Sequence, residues 1–457
     1  MLSFEEVLER IEQGPICSER DFDLRVMHPK IQEVIKEHEI RFDPENPIPS
    51  DDSLADEIFQ AALDVYLHTG TLCLDTQRRV LFQEIEIKDS LRAAPTRLLF
   101  GEGADQRAMV CRKVDDSREP FCISTPIGHP VSEENYLPVI ISYMQNPHAD
   151  AAGVPSLITF RGRAVKTRSP TEFDAAIWNV LCFRAAARIV GRPGLGTHNL
   201  ISNAESTAAI VAATNPEFGA RSTDGFCVAA FPELKVEYER LNKTAYFLRT
   251  GHLISSLAGP IKGGLPGGPE GTAVVTVANL FQGTLVARGK YYIYFPIDLR
   301  FACNSTREML WVLSMVGQAI SRNTHALKVC APYHAAGPCT EMVGYESAAT
   351  SLAIVTSGAD VDYGSVAKNK YPDYCSGLEA QFAHEICRGL GGMKRYDANV
   401  LVKELLKRYE SKIQEAPLGR KFQQCYDIKT VVPRKDYVDL HVKVRKSLVD
   451  IGLGMAT

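Results

Sequence analysis

No stretch of the sequence approaches the ~20 uninterrupted apolar residues that a membrane-spanning helix needs. The richest run, residues 174–190, carries Asn179, Arg184 and Arg188 inside it. A block of like positive charge is also missing. The 51 basic residues stand against 55 acidic ones, a formal net charge of −4, so nothing in the charge pattern predicts nucleic-acid binding, which rests on clustered Lys and Arg. No two of the 12 cysteines form a Cys-x-x-Cys pair, which argues against a structural zinc site. A disulfide framework belongs to short secreted chains; these thiols are read as small buried hydrophobes in a reducing cytoplasm. The first residues, Met1 to Glu6, are acidic and have no basic flank before an apolar core, so no secretory signal is expected and a cytoplasmic location is.

Familiar chemical motifs are equally scarce. His384-Glu385 begins like a zinc-protease helix, but Arg388 stands where the second histidine would be, and no metal site is expected. There is no Gly-x-Ser-x-Gly elbow. The glycine-rich stretch 263–270 lacks the Lys-Ser/Thr of a phosphate loop, and its two prolines remove donors. It reads as a flexible or ligand-covering loop.

What remains is an ordinary globular composition, 45% hydrophobic and 23% charged, with a strong rhythm. From about Phe121 onward short β-rich runs alternate with longer helical stretches. The candidate strands are Phe121–Thr125, Val154–Phe160, Leu195–His198, Phe226–Phe231, His252–Leu257, Tyr291–Ile297, Ala326–Tyr333 and Asp360–Gly364. Alternation of this kind implies parallel strands, and eight units imply a closed (β/α)8 TIM barrel; an open doubly wound sheet is the alternative. Ser305-Thr306-Arg307-Glu308 and Ser202-Asn203-Ala204-Glu205 read as capping boxes. Residues 1–118 are expected to form an N-terminal helical extension, 119–395 the barrel, and 396–457 helices packed on the barrel or at a subunit interface.

In such a barrel the chemistry sits where strands run into helices. That rule selects Arg161, His198, Ser255, Ser256, Asp298, Arg300, Tyr333, His334, Asp362 and Tyr363. His198 follows Gly191–Thr197, whose three glycines leave little bulk nearby. It is either a proton donor or acceptor or a loop histidine that merely hydrogen-bonds. In Tyr291-Tyr292-Ile293-Tyr294-Phe295, Tyr292 and Tyr294 share one face, and Tyr291 and Phe295 the other. One face can enclose a methylammonium group, although core filling is the default for such a strand. Residue chemistry by itself stops at a barrel enzyme of unknown reaction.

The segment Gly191–His198, together with residues 336–342 (AGPCTEM) and 422–431 (FQQCYDIKTV), resembles the monomethylamine:corrinoid-protein methyltransferase family; residues 130–134 and 304–308 add weaker matches. The resemblance spans nearly the whole chain. It implies a barrel, a cytoplasmic homo-oligomer (a hexamer in the family), and no directly bound cofactor. It also implies a partner protein carrying a cobalt corrinoid, whose Co(I) receives a methyl group from a methylated amine. The family's hallmark is pyrrolysine, whose ring imine captures the amine. Lining up the glycines puts His198 at that place, and imidazole offers no comparable electrophile. A glutamate and a glutamine of the family's site line up with Leu257 and Ala331, while the tyrosine is kept as Tyr333, with His334 beside it.

The expected donor is therefore one already activated for loss of methyl, such as a quaternary ammonium compound, which leaves as a neutral amine. His198 and Tyr333 would act on it as catalytic residues; Leu257, Ala331, His334, Tyr292 and Tyr294 would line its pocket. Two other readings stand beside this one: a corrinoid-independent lyase or hydrolase built on His198, Asp298 and Arg300, and a non-catalytic methylamine-binding protein.

Overall fold

The computed structural model describes residues 2–126, 128–202, 206–363 and 365–456. Its centre is one sheet of eight parallel strands: β1 (Cys122–Ser124), β2 (Ala151–Gly153), β3 (Gly196–Asn199), β4 (Gly225–Ala229), β5 (Leu253–Ala258), β6 (Tyr291–Tyr294), β7 (Lys328–Cys330) and β8 (Asp360–Tyr363). Neighbours in space are neighbours in sequence, and β8 pairs with β1, with Asp362 beside Ile123. This is a (β/α)8 barrel. The seam lies between β3 and β4, which touch without a hydrogen-bonded ladder. Gly225 makes that approach possible: a Cβ there would sit 2.8 Å from the His198 carbonyl oxygen.

Seven strands overlap their expected positions. The second does not. The apolar run 154–160 was expected to be the strand, but β2 is the preceding Ala151-Ala152-Gly153. Two alanines and a glycine carry almost no β propensity, and the glycine is needed because a Cβ on Gly153 would collide with Thr125 Oγ1. The expected run instead forms two short strands outside the barrel, Ser156–Leu157 and Thr159–Phe160.

Helices α1 (Glu133–Met144), α2 (Pro170–Ile189), α3 (Thr207–Ala213), α4 (Tyr238–Thr250), α5 (Pro269–Leu285), α6 (Arg307–Asn323), α7 (Glu341–Thr356) and α8 (Gly377–Gly389) surround the strands. The cap of α6 is Thr306, not Ser305: Thr306 Oγ1 accepts from Met309 N at 3.2 Å. Ser305 is otherwise engaged, donating to Glu346. The second expected box falls on residues 203–205, outside the described residues; the cap of α3 is Ser206.

Helices α5, α6 and α7 are buried almost throughout, so their outer faces are covered by further elements. The helix Asp52–Thr69 packs on α5 and α6, with Phe59 edge-on to Phe281 at 5.5 Å. Helices Arg395–Tyr409 and Lys435–Val449 pack on α7, so tightly that a Cβ on Gly344 would lie 2.7 Å from Val444 Cγ1. The glycine-rich loop after β5 is held the same way, since Leu265 O lies 2.9 Å from His28 Nδ1 and Phe42 N donates to Glu270. It packs on the extension and does not cover the barrel mouth.

The N-terminal end of the bore is plugged. Strands Arg97–Phe100 and Arg107–Val110 form a hairpin that drives Phe100 against Phe121 and Tyr291, ring centroids 5.1 and 5.7 Å away. Two of the three glycines before His198 serve this plug: Gly194 lies against Glu102, and a Cβ on Gly196 would lie 2.5 Å from Gly101 N. Among the described residues, no helix is long and apolar enough to cross a membrane.

Candidate active site at the open end of the barrel

The C-terminal end of the bore holds a cavity of about 150 Å³, several times the ~10–15 Å³ that a single water requires. Its rim includes the exposed Gly128 and Ala229, small residues that leave the mouth open. Half-buried Leu257, Phe295 and Tyr333 form the walls, and fully buried Asp362 lies at the floor. Strand alternation accounts for the set. Tyr291, Ile293 and Phe295 alternate onto one face of β6, and Asp360 and Asp362 onto one face of β8.

The walls are fixed from behind. Asn304 clamps the end of β7, accepting from Tyr333 N at 2.7 Å and donating to Ala331 O at 3.0 Å. Buried Glu346 accepts from Ala335 N and Ala336 N at 2.8 and 2.9 Å, and burial raises its carboxyl to about 7. The Phe295 ring stacks on Tyr333, centroids 5.3 Å apart. It lies against Gly259, where a Cβ would fall 2.7 Å from the ring edge.

The floor is polar and under-satisfied. His198 Nε2 stands 3.5 Å from Asp362 Oδ2, too far for a good hydrogen bond. Among the described residues His198 Nε2, both Asp362 oxygens and Thr125 Oγ1 are buried with no hydrogen-bond partner. Burial pulls the imidazole down to about 3 and pushes the Asp362 carboxyl well above the usual carboxylate range, because each loses the water that would stabilise its charge. Orphaned polar groups at the bottom of a cavity are where a ligand's charge or a bound water belongs. Cys227 Sγ lies 3.9 Å from His198 Nδ1 and accepts from Ser255 Oγ at 3.0 Å.

Of the residues selected from the sequence, Tyr333, Leu257 and Ala331 line the cavity and His198 borders its floor residue Asp362. Five others lie elsewhere. Tyr292 and Tyr294 point outward, their hydroxyls donating to Thr276 O at 2.7 Å and Leu313 O at 3.5 Å; the cavity face of β6 is the other one. His334 is buried behind the wall, Nε2 3.0 Å from Thr350 Oγ1 and Nδ1 3.3 Å from the Tyr363 hydroxyl. Asp298 and Arg300 are also outside the cavity: Asp298 pairs with Lys262 at 2.6 Å, and Lys262 in turn pairs with Glu308. The acid–base set of the lyase reading is therefore not assembled around His198. Asp362 and Phe295 carry more of the site than their sequence context suggested. The available signals were two acidic residues two apart in a buried strand, and the alternation that sets Phe295 with Ile293.

The profile of the family described as monomethylamine methyltransferase MtmB matches residues 2–453. The chain belongs to the MtmB family. Monomethylamine methyltransferase MtmB2 of Methanosarcina barkeri (strain Fusaro / DSM 804) is 30% identical over 446 residues, 97% of either chain. The MtmB of Methanosarcina mazei (strain ATCC BAA-159 / DSM 3647 / Goe1 / Go1 / JCM 11833 / OCM 88) is 30% identical over the same span. The crystal structure of the Methanosarcina barkeri enzyme superposes with a TM-score of 0.95 at 30% identity, covering 98% of each chain; a structure of the hydroxylamine MtmB complex matches equally well. The protein is thus a methyltransferase on the MtmB barrel.

Proposed function

We propose that this chain moves a methyl group from a methylated ammonium compound, a quaternary one in particular, to the cobalt of a corrinoid carried by a separate partner protein. The observation that carries the reading is the buried, unpartnered Asp362 beneath the Phe295–Tyr333 stack. A cation seated ~4 Å from a carboxylate gains ~4 kcal/mol at an effective dielectric of about 20, against ~0.5–2 kcal/mol from an aromatic face. The carboxylate therefore decides for a cation, and the rings decide its shape.

The floor also bears on how the donor is activated. On this reading His198 occupies the pyrrolysine position and, as a neutral imidazole, orients the floor without forming an adduct. Held neutral to about pH 3, it has no proton to give a leaving amine at neutral pH. A quaternary donor needs none, because the C–N electron pair stays on nitrogen and a neutral amine departs. The corrinoid supplies the nucleophilic metal when its protein docks at the mouth. This chain's residues hold the cation, exclude water beneath it and point the methyl outward past Gly128 and Ala229. Leu257 and Ala331 put apolar surface against the other methyls.

The test is transfer of methyl to a reduced corrinoid protein, followed by the cobalt absorption spectrum, with quaternary ammonium compounds and monomethylamine in parallel. Turnover of a quaternary donor is expected. Efficient turnover of monomethylamine alone would refute the donor assignment.

A further inference from the structure

Asp362 raises a question that the methyl-transfer reading leaves open: what neutralises it when the cavity holds no substrate. Its side chain is fully buried, and among the described residues neither oxygen meets a hydrogen-bond donor. A bare carboxylate in such a place is costly, and a proton is the least expensive remedy. When an ammonium ion arrives, the cation replaces that proton as the source of positive charge. Both states are electrically neutral overall; a pocket holding both proton and cation would not be.

We propose that the pocket exchanges a proton for its substrate: Asp362 is protonated in the free enzyme and releases one proton to solvent as the cation binds. The proposal rests on the reading of the substrate as a cation and adds how its charge is accommodated. No bond other than O–H breaks, and the released proton goes to bulk buffer.

Of the groups that face the cavity floor, Asp362 is left as the one whose charge changes; Asp360, raised to about 6 by burial, accepts from Phe121 N at the sealed end, and Glu346 is held behind the wall. On β3, His198 is held neutral, since burial takes it down to about 3. On β4 and just past β7, the Cys227 thiol and Tyr333 phenol are pushed up to about 12, so both stay protonated. Tyr291 on β6 and Cys330 on β7 are pushed well above their ordinary values by burial. Lys243, which lines the cavity from α4, is in Coulombic contact with Glu239. Thr125, just past β1 and with its Oγ1 buried and unpartnered, does not titrate.

The experiment titrates the intact protein with tetramethylammonium, whose own charge cannot change with pH. Calorimetry in two buffers of different ionisation enthalpy counts the protons. Close to one proton released per cation at pH 6.5 is expected, with Kd falling up to tenfold per pH unit until Asp362 is ionised in the free enzyme. Asp362→Asn keeps the shape of the side chain and should weaken binding at least tenfold, release no proton and lose the pH dependence. Its thermal unfolding midpoint establishes that it is folded. Cation binding without proton release, or unchanged release from folded Asp362→Asn, would overturn the proton exchange while leaving the cation reading intact. Failure of tetramethylammonium, choline and methylammonium alike to bind would overturn both.

Discussion

The two ends of the barrel are made of the same strands and solve opposite problems. At the N-terminal end a hairpin seals the bore, and Phe100 meets Phe121 and Tyr291 in dry aromatic contact. At the C-terminal end, small rim residues leave the bore open over orphaned polar groups, Asp362 foremost. Strand β3 serves both. Gly196 lets the plug approach, and His198 two residues later borders the floor. Gly194 and Gly196 thus secure stability at one end of the bore while unsatisfied polarity is kept at the other.

That contrast can be broken at either end. The largest effect is expected at the seal: Phe100→Ala removes a buried ring and should cost about 3–5 kcal/mol of stability, read by thermal or urea unfolding, without narrowing the range of ligands bound. A smaller change lies behind the wall. His334, taken down to about 3 by burial, is neutral when folded, while its unfolded form gains a proton below about 6.5. Its contribution is therefore present above that pH and lost as pH falls. The stability difference between wild type and His334→Gln should shrink by about 2 kcal/mol from pH 7 to pH 5, with ligand affinity at pH 7 unchanged.

At the open end the order reverses, with binding affected more than stability. Phe295→Leu should raise Kd for a quaternary ammonium ion about fivefold, the ~1 kcal/mol of one ring face, while the unfolding midpoint moves little. The smallest effect on binding is expected at Tyr292→Phe, which deletes the bond to Thr276 O and should cost ~0.5–1.5 kcal/mol of stability and nothing in affinity. If Tyr292→Phe weakens binding as much as Phe295→Leu does, the assignment of strand faces is wrong.

Much of this was legible in the sequence. The β/α rhythm carried the barrel because each unit must bury one face against the next, and seven strands fell near their expected places. The Ala-Ala-Gly strand was hidden because its glycine is dictated by close contact with Thr125 beside the neighbouring strand, a tertiary constraint with no local signal. The site was read in part. Tyr333, picked out as the end of a strand, lines the cavity, but Tyr292 and Tyr294 point away from it, because alternation gives two faces without saying which looks inward. What two of the glycines before His198 make room for was equally hidden: Gly194 and Gly196 relieve crowding by a hairpin about ninety residues earlier in the chain, whereas Gly191 supplies a positive φ. Asp362 was visible as an acidic residue in a buried strand, but only coordinates show that nothing pairs with it.

The central claim is that the cavity floor selects positive charge. Its most direct test compares choline with 3,3-dimethyl-1-butanol, the same shape with carbon in place of the charged nitrogen, by calorimetric titration of the intact protein at pH 8. The account predicts that choline binds at least tenfold more tightly and that the difference largely disappears in Asp362→Asn. Equal affinity for the two compounds in the unmodified protein would contradict it.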